Sequence, residues 1–262
     1  MKDLLNLEQY PLDQPESEAY GKLVEHCQSE LASEGMFNLE GLVKPEVLAK
    51  TVSELSPKMA SESFTHQRSH NIYFKKQVPG LNPDHPALAE VKTTNHTLCA
   101  DQISGSDILT IYEWPPLANF LAEVMEKETL YTMPDPLARL NIMAYHEGEA
   151  LNWHFDRSEF TVTLLLQAPK AGGEFEYRTD LRTSDDPNYE GVAKLLRDQD
   201  PEKRSITPTP GTLNVFRGVN TPHRVTPIKG DRERMIAVLS YYDQPGVMFT
   251  DEERIGFFGR AS

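Results

Sequence analysis

Two residues of one short segment, His154 and Asp156 in LNWHFD, are of types that bind metal ions and stand two positions apart. On a β-strand, side chains at i and i+2 point to the same face, and the strand rise separates them by about 7 Å at the backbone. Both can therefore converge on one cation. His223, in TPHRVTPI, is the candidate for a third ligand. Two histidines and one carboxylate form the facial triad of non-haem Fe(II) sites, which leaves the opposite face of the metal open.

The His-x-Asp pattern alone is a weak signal, because chance gives roughly half an occurrence in a chain of this composition. The ordinary alternative is a core histidine followed by an aspartate that begins a turn. The context favours the metal, since His223 lies where a barrel would return a strand beside the first. A structural zinc site would prefer thiolates, and neither Cys27 nor Cys99 is near these segments.

Arg234 is the candidate for binding an organic anion beside the metal. A 2-oxo acid that chelates iron leaves its far carboxylate inside the barrel, and a guanidinium binds such a carboxylate bidentately. Arg234 opens the segment RMIAVLSYY in phase with Ile236. The alternative for an arginine here is a surface ion pair, which we favour for Arg232 in the turn KGDRER.

The elements that must position these residues fall into two parts. Residues 137–262 contain about seven short, β-branched or aromatic segments bounded by Gly, Pro or Asp, which predict strands. Their alternation of apolar and polar residues is typical of antiparallel sheets, and their number predicts a barrel or jelly roll. A charged insert at 181–204 interrupts them and carries a helix that we expect to be exposed.

Residues 1–136 predict a helical N-terminal part packed on that core. Helical spacing of apolar residues predicts a helix from Ser17 to about Ser33, and Pro-initiated helices follow at KPEVLAKTVSELSPKMA and WPPLANFLAEVME. We expect residues 1–15 to form a loose lead-in and the polar residues 60–108 to form lid or substrate loops. The fold class is thus α+β with a mainly β core, in one integrated domain.

The composition of the chain limits the classes of partner that it can bind. The chain has 262 residues, with 26 basic against 40 acidic side chains and a formal net charge of −14. Such a surface repels nucleic acid and anionic lipid, so we expect neither as a partner. Two cysteines do not make a disulfide framework, no signal peptide begins the chain, and TVTLLLQ is too short to span a bilayer. We expect a cytoplasmic protein.

Four segments together resemble the Fe(II)/2-oxoglutarate-dependent oxygenases with a double-stranded β-helix (jelly roll) core. These are LNIMAYHEGEALNWHFD, GGEFEY, GTLNVFRGVNTPHRV and RMIAVLSYYD, which cover roughly residues 137–245. Among the branches, the chain most resembles the compact bacterial enzymes that act on free amino acids, a group that includes hydroxylases and radical halogenases. The resemblance implies Fe(II) held by His154, Asp156 and His223, with 2-oxoglutarate and O2 as co-substrates and succinate and CO2 as products.

The resemblance also bears on the co-substrate and on the outcome. It implies that Tyr145 or Asn141, four apart on one strand, hydrogen-bonds 2-oxoglutarate near Arg234; core packing with a satisfied polar tip is the alternative for both. Halogenating members replace the carboxylate ligand by a small residue, which frees a position for halide. Because Asp156 is present, we expect hydroxylation of an unactivated C–H, or another radical outcome without halide.

Donor-rich residues near the metal segments are candidates for contacting a small, polar, amino-acid-like substrate. They are Arg157, which follows a ligand; Arg68, His70, Asn71 and Tyr73 in HQRSHNIYF; and Asn220 and Thr221, which precede His223. The alternatives are an ion pair of Arg157 with an acidic neighbour and a solvated loop for the others. Two further hypotheses stay open: an oxygenase acting on a protein side chain, and a non-catalytic jelly-roll binding module.

Overall fold

The alternating segments form strands, as the sequence predicts, and the strands build two main sheets. The computed structural model describes all 262 residues. The strands are β1 (Met36–Leu39), β2 (Phe64–His70), β3 (Val91–Leu98), β4 (Tyr131–Thr132), β5 (Leu140–Tyr145), β6 (Leu151–His154), β7 (Thr161–Gln167), β8 (Phe175–Tyr177), β9 (Arg204–Ile206), β10 (Leu213–Phe216), β11 (His223–Val225), β12 (Arg234–Leu239) and β13 (Tyr241–Tyr242).

The strand order gives a double-stranded β-helix, which confirms the predicted fold class. One sheet has seven strands in the order β1-β10-β7-β12-β5-β3-β2, and a second has four in the order β6-β11-β8-β9. Every pairing is antiparallel, and β13 pairs separately with β4. In the larger sheet, strands from residues 1–136 flank a block of four strands from residues 137–262, with β1 on one side and β3 and β2 on the other.

Six α-helices accompany the two sheets. They are α1 (Glu18–Glu34), α2 (Pro45–Glu62), α3 (Asp107–Tyr112), α4 (Pro115–Val124), α5 (Tyr189–Leu196) and α6 (Asp251–Phe258). The Ser17 hydroxyl caps α1 by accepting from Tyr20 N–H, and Gly35 ends it in the left-handed region at φ 75°. Prolines open α2 and α4. No helix has the length and apolarity needed to cross a bilayer.

Three expectations about local structure were wrong. Residues 1–15 are not a loose lead-in, because Leu5 and Leu12 are buried in the main core. The helix α5 is not simply exposed, because Val192 lies wholly buried in a smaller apolar cluster.

The largest error concerns residues 60–108, which we expected to be loops. Seven residues of β2 pair with seven of β3, and β3 joins β5 in the larger sheet. The alternation of apolar and polar residues does not reveal these strands, because their inward face is polar and borders a cavity. That face carries His66, Arg68, Thr93 and Asn95. A strand that faces a ligand cavity need not carry apolar residues on its inner side.

A buried carboxylate, Asp135, ties the C-terminal helix to the barrel. Its side chain is fully buried and accepts from the N–H groups of Leu137, Ala138 and Phe249 and from the Arg254 guanidinium on α6, at 2.9–3.0 Å. Burial raises the pKa of the Asp135 carboxyl, but these hydrogen bonds outweigh it and hold the pKa below its usual value. The carboxylate is therefore ionised and fully partnered.

We expect Asp135→Ala to lower the free energy of unfolding by about 3–5 kcal/mol, because it removes the buried partner of the half-buried Arg254 guanidinium and leaves three backbone donors unpaired. Urea unfolding monitored by circular dichroism measures this. Asp231→Ala is the matched control, since its ion pair with Lys170 is largely exposed and should hardly shift the midpoint. Equal effects of the two substitutions would contradict the assigned role.

Candidate metal centre and its cavity

The antiparallel pairing of β6 with β11 brings the candidate metal ligands together. His223 lies opposite His154 in the register, with ring centroids 4.2 Å apart. Asp156, two residues beyond His154, places Oδ1 3.3 Å from His154 Nε2 and Oδ2 3.6 Å from His223 Nε2. Both histidines are buried. The three predicted ligands thus form one cluster in which each offers a ligand atom to a common point.

Hydrogen bonds behind the cluster fix the orientation of each ligand. Nδ1 of His154 lies 2.8 Å from the Asn152 carbonyl, and Nδ1 of His223 lies 3.0 Å from the Thr221 carbonyl. A carbonyl can only accept, so Nδ1 carries the proton in both rings and Nε2 presents a lone pair. The Thr161 hydroxyl donates to Asp156 Oδ2 at 2.6 Å. Such contacts are typical of the residues that orient metal ligands.

The charge states also suit a cation. Burial lowers the pKa of His223 to about 4, against the attraction of Asp156. Burial raises the pKa of Asp156, but His223, His154 and Thr161 outweigh it and hold the pKa well below its usual range. At neutral pH the cluster therefore consists of a carboxylate beside a neutral His223 imidazole. These are the protonation states in which such side chains bind metals.

Gly218 makes room for Asp156. The Asp156 N–H donates to the Gly218 carbonyl at 3.0 Å, and a Cβ at position 218 would lie 2.0 Å from Asp156 Oδ2. No side chain fits there without moving the carboxylate.

We expect Gly218→Ala to displace Asp156 and to weaken Fe(II) or Co(II) binding at least tenfold, as judged by anaerobic calorimetry. Gly21→Ala on α1 is the matched control, because no heavy atom lies within 4 Å of its added Cβ. If Gly218→Ala and Gly21→Ala bind metal with the same affinity, Asp156 does not need the space that Gly218 leaves.

A cavity of about 230 Å³ between the two sheets extends from this cluster. Its walls are largely apolar, with residues such as Leu165, Phe175 and Ile236. Arg234 also lines it, 3% exposed. Burial lowers the pKa of Arg234 to about 10, so the guanidinium is charged at neutral pH, and no acidic side chain acts on it. A buried cation without an anion is costly, which makes this end of the cavity suited to a carboxylate ligand.

The structure separates the two residues predicted to assist Arg234. Tyr145 lies opposite Arg234 in the β5–β12 register and lines the cavity. Burial raises the pKa of its phenol, against Arg234, which lowers it; the hydroxyl therefore remains a donor at neutral pH. Asn141 shares that face of β5 but lies beyond the cavity, where its amide donates to the Leu137 carbonyl at 2.8 Å. Core packing, the alternative considered for Asn141, describes its position.

Of the predicted substrate residues, only Arg68 lines the cavity. Its guanidinium lies 4.3 Å from the centre of the Phe74 ring. Burial, followed by the nearby Arg157, lowers the pKa of Arg68. Arg157 itself is 76% exposed and contacts Glu253 at 3.4 Å, not the acidic neighbours we considered. The two arginines thus form a positive region that includes one wall of the cavity.

The other predicted substrate residues are held within the protein. His70 bonds the Thr93 hydroxyl at 2.9 Å. Asn71 shapes its own turn by accepting from the N–H groups of Tyr73 and Lys75, while the Tyr73 hydroxyl donates to a backbone carbonyl of the insert. The Thr221 hydroxyl accepts from Asp180 N–H at 3.1 Å.

Asn220, the last of the predicted substrate residues, precedes Thr221 but does not line the cavity. Its backbone carbonyl accepts from the N–H of Arg182.

Asn95 is a site residue that the sequence did not indicate. It lines the cavity on β3, and its Oδ1 is buried without a hydrogen-bond partner. His66 on β2 lines the same wall. The alternation of His66, Arg68 and His70 at i, i+2 and i+4 was the available signal for a strand facing a polar cavity.

Comparisons with known proteins identify the family. A family model described as HalD, Halogenase D, matches residues 20–248. The chain belongs to this family, and with it to the Fe(II)/2-oxoglutarate oxygenase superfamily, for which iron and 2-oxoglutarate are typical. No curated protein sequence matches the chain significantly.

Solved structures share the fold at low identity. AviO1 from Streptomyces viridochromogenes Tue57 aligns with a TM-score of 0.57 at 15% identity, covering 85% of this chain and 96% of that one. SnoN, a non-haem α-ketoglutarate-dependent epimerase from nogalamycin biosynthesis, aligns at 0.55 and 13%, covering 85% and 83%. An oxidoreductase of the 2OG-Fe(II) oxygenase family from Burkholderia pseudomallei aligns at 0.51 and 14%, covering 86% and 92%.

Proposed function

We propose that the chain is an Fe(II)- and 2-oxoglutarate-dependent oxygenase that hydroxylates an unactivated C–H of a small, amino-acid-like substrate. One observation carries this proposal. A buried His154–Asp156–His223 cluster and the buried, acid-free Arg234 border the same cavity. The cluster offers two imidazoles and a carboxylate, the donor set of non-haem Fe(II) oxygenases.

Different residues of the chain have different roles in this function. His154, Asp156 and His223 hold the iron, while Arg234, with Tyr145 beside it, receives the far carboxylate of 2-oxoglutarate. When bound, iron with 2-oxoglutarate and O2 supplies the oxidising chemistry and releases succinate and CO2. The apolar walls of the cavity exclude water and orient the substrate C–H.

The retained carboxylate supports hydroxylation. In the halogenating members that this chain resembles, a small residue at the position of Asp156 frees a place for halide. Here the carboxylate is present and accepts from the Thr161 hydroxyl, while the Asp156 N–H donates to the Gly218 carbonyl. The description of the matched family, Halogenase D, favours halogenation instead, and halogenation is therefore the second candidate outcome.

The polar groups on the cavity wall support an amino acid as substrate. Arg68 offers a guanidinium for a carboxylate, and Asn95 Oδ1 offers an unused acceptor for an ammonium group. Asp156 is the only acidic residue on the wall, and it is committed to the metal. We therefore propose that neutral or acidic side chains are accepted in preference to basic ones.

Anaerobic Fe(II) plus 2-oxoglutarate should give a weak visible charge-transfer band. Arg234→Met should raise the 2-oxoglutarate concentration needed for half the band by roughly 30-fold or more, which is about 2 kcal/mol, because a buried carboxylate loses its partner. Arg232→Met is the matched control, since that exposed arginine only donates to the Pro169 carbonyl.

The non-catalytic alternative predicts a different result. If no band forms, or if it persists in the His154→Ala/His223→Ala double variant, the protein is not an oxygenase of this type. If Arg234→Met and Arg232→Met behave alike, the co-substrate carboxylate is bound elsewhere.

A panel of free amino acids and short peptides should identify the substrate class through O2-dependent succinate release. We expect release with neutral or acidic free amino acids, products heavier by one oxygen, and no halogenated product in chloride or bromide. Arg68→Met should raise KM at least tenfold, whereas the exposed Arg157→Met should have a smaller effect. Release with peptides alone would favour a protein substrate, and a halogenated product would overturn the hydroxylase assignment.

A further inference from the structure

A second cluster of ligand-type side chains lies outside the cavity. His96 comes from β3, His146 and Glu149 from the turn after β5, and Glu233 from the residue before β12. We propose that His96, His146 and Glu149, whose ligand atoms form one group, bind a Zn²⁺-type ion at a site separate from the iron centre, with Glu233 beside His146.

The ligand atoms of His96, His146 and Glu149 lie close enough together for one small cation. His96 Nε2 lies 3.0 Å from Glu149 Oε1, and His146 Nε2 lies 3.2 Å from Glu233 Oε2. In a tetrahedral zinc site with bonds of about 2.0–2.1 Å, ligand atoms are separated by roughly 3.3 Å. His146 Nδ1 is 4.0 Å from Glu149 Oε2, and its ring is 51% exposed, so it can turn toward a shared ion without disturbing the core.

The two histidine rings are spaced as in the proposed iron centre. The rings of His96 and His146 have centroids 4.2 Å apart, the same separation as those of His154 and His223. An imidazole pair at this distance, flanked by carboxylates, offers the same ligand types as the iron centre.

Contacts behind the cluster orient its members as contacts orient metal ligands. His96 Nδ1 bonds the Thr65 hydroxyl at 3.0 Å, which leaves Nε2 for the cluster. Glu149 Oε2 accepts from the His146 N–H at 2.8 Å. The left-handed Gly148, at φ 80°, lets the turn bring Glu149 back over His146. The carboxylate is thus held in place by the backbone and does not depend on a bound ion for its position.

The ligand set selects the class of ion. Imidazole with carboxylate suits zinc and its neighbours Co²⁺ and Ni²⁺, whereas Ca²⁺ and Mg²⁺ take oxygen ligands. Three protein ligands leave the fourth position of a tetrahedral ion to water. The ion would join β3 to the turn after β5, next to Tyr145, one of the residues proposed to bind 2-oxoglutarate.

Equilibrium dialysis of chelator-treated protein against Co²⁺ tests this proposal independently of oxygenase activity. We expect two Co²⁺ per wild-type chain and one in the His154→Ala/His223→Ala variant, with the strong visible absorption of four-coordinate Co²⁺. Adding His96→Ala and His146→Ala to that variant should abolish binding. In the variant without the iron centre, saturating Zn²⁺ should raise the melting temperature by about 5 °C or more.

The control variant adds His26→Ala and His85→Ala to the variant without the iron centre. Each of these histidines faces a single glutamate, so one Co²⁺ should still bind. The proposal is overturned if the variant without the iron centre binds no Co²⁺, or if binding persists after His96 and His146 are replaced. If the quadruple variant does not fold, Glu149→Gln in the same background decides, because unchanged Co²⁺ affinity there would equally overturn the proposal.

Discussion

The candidate site depends on one cross-strand pairing, that of His154 on β6 with His223 on β11. Sequence places the two histidines far apart, and only the antiparallel register sets their rings side by side. Asp156 then completes the cluster because the chain leaves β6 directly toward Gly218, whose carbonyl holds the Asp156 N–H. The smaller sheet and the residues just after β6 therefore supply the three proposed ligands, and the larger sheet supplies the opposite wall of the cavity.

The larger sheet contributes Arg234, which lines the cavity, to the candidate site. Packing a charged guanidinium at 3% exposure with no acidic partner is unfavourable for folding alone. Such a group is explained by a ligand that brings the missing negative charge, as the far carboxylate of 2-oxoglutarate does in the proposed function. The electrostatics of the cavity and the metal ligands thus point to the same class of chemistry, which agrees with the family to which the chain belongs.

The sequence predicted the C-terminal strands and the cluster because period-two alternation reports directly on which side chains share a face. It did not predict β2 and β3, since their inward residues are polar and the usual apolar signal is missing. Asn95 was missed for the same reason. For Asn141 the difficulty is different. The alternation correctly places it on the same face of β5 as Tyr145, but periodicity does not indicate where along a strand the cavity ends. The packing of Leu5 and Leu12 likewise depends on contacts distant in sequence.

The central claim is that His154, Asp156 and His223 together hold one iron ion. X-ray absorption of the anaerobic Fe(II) protein, at one iron per chain, tests this most directly. We expect two imidazole ligands among light-atom neighbours of the iron in the wild type, and one fewer imidazole in each of His154→Ala and His223→Ala. A spectrum without imidazole scattering, or one unchanged by both substitutions, would contradict it.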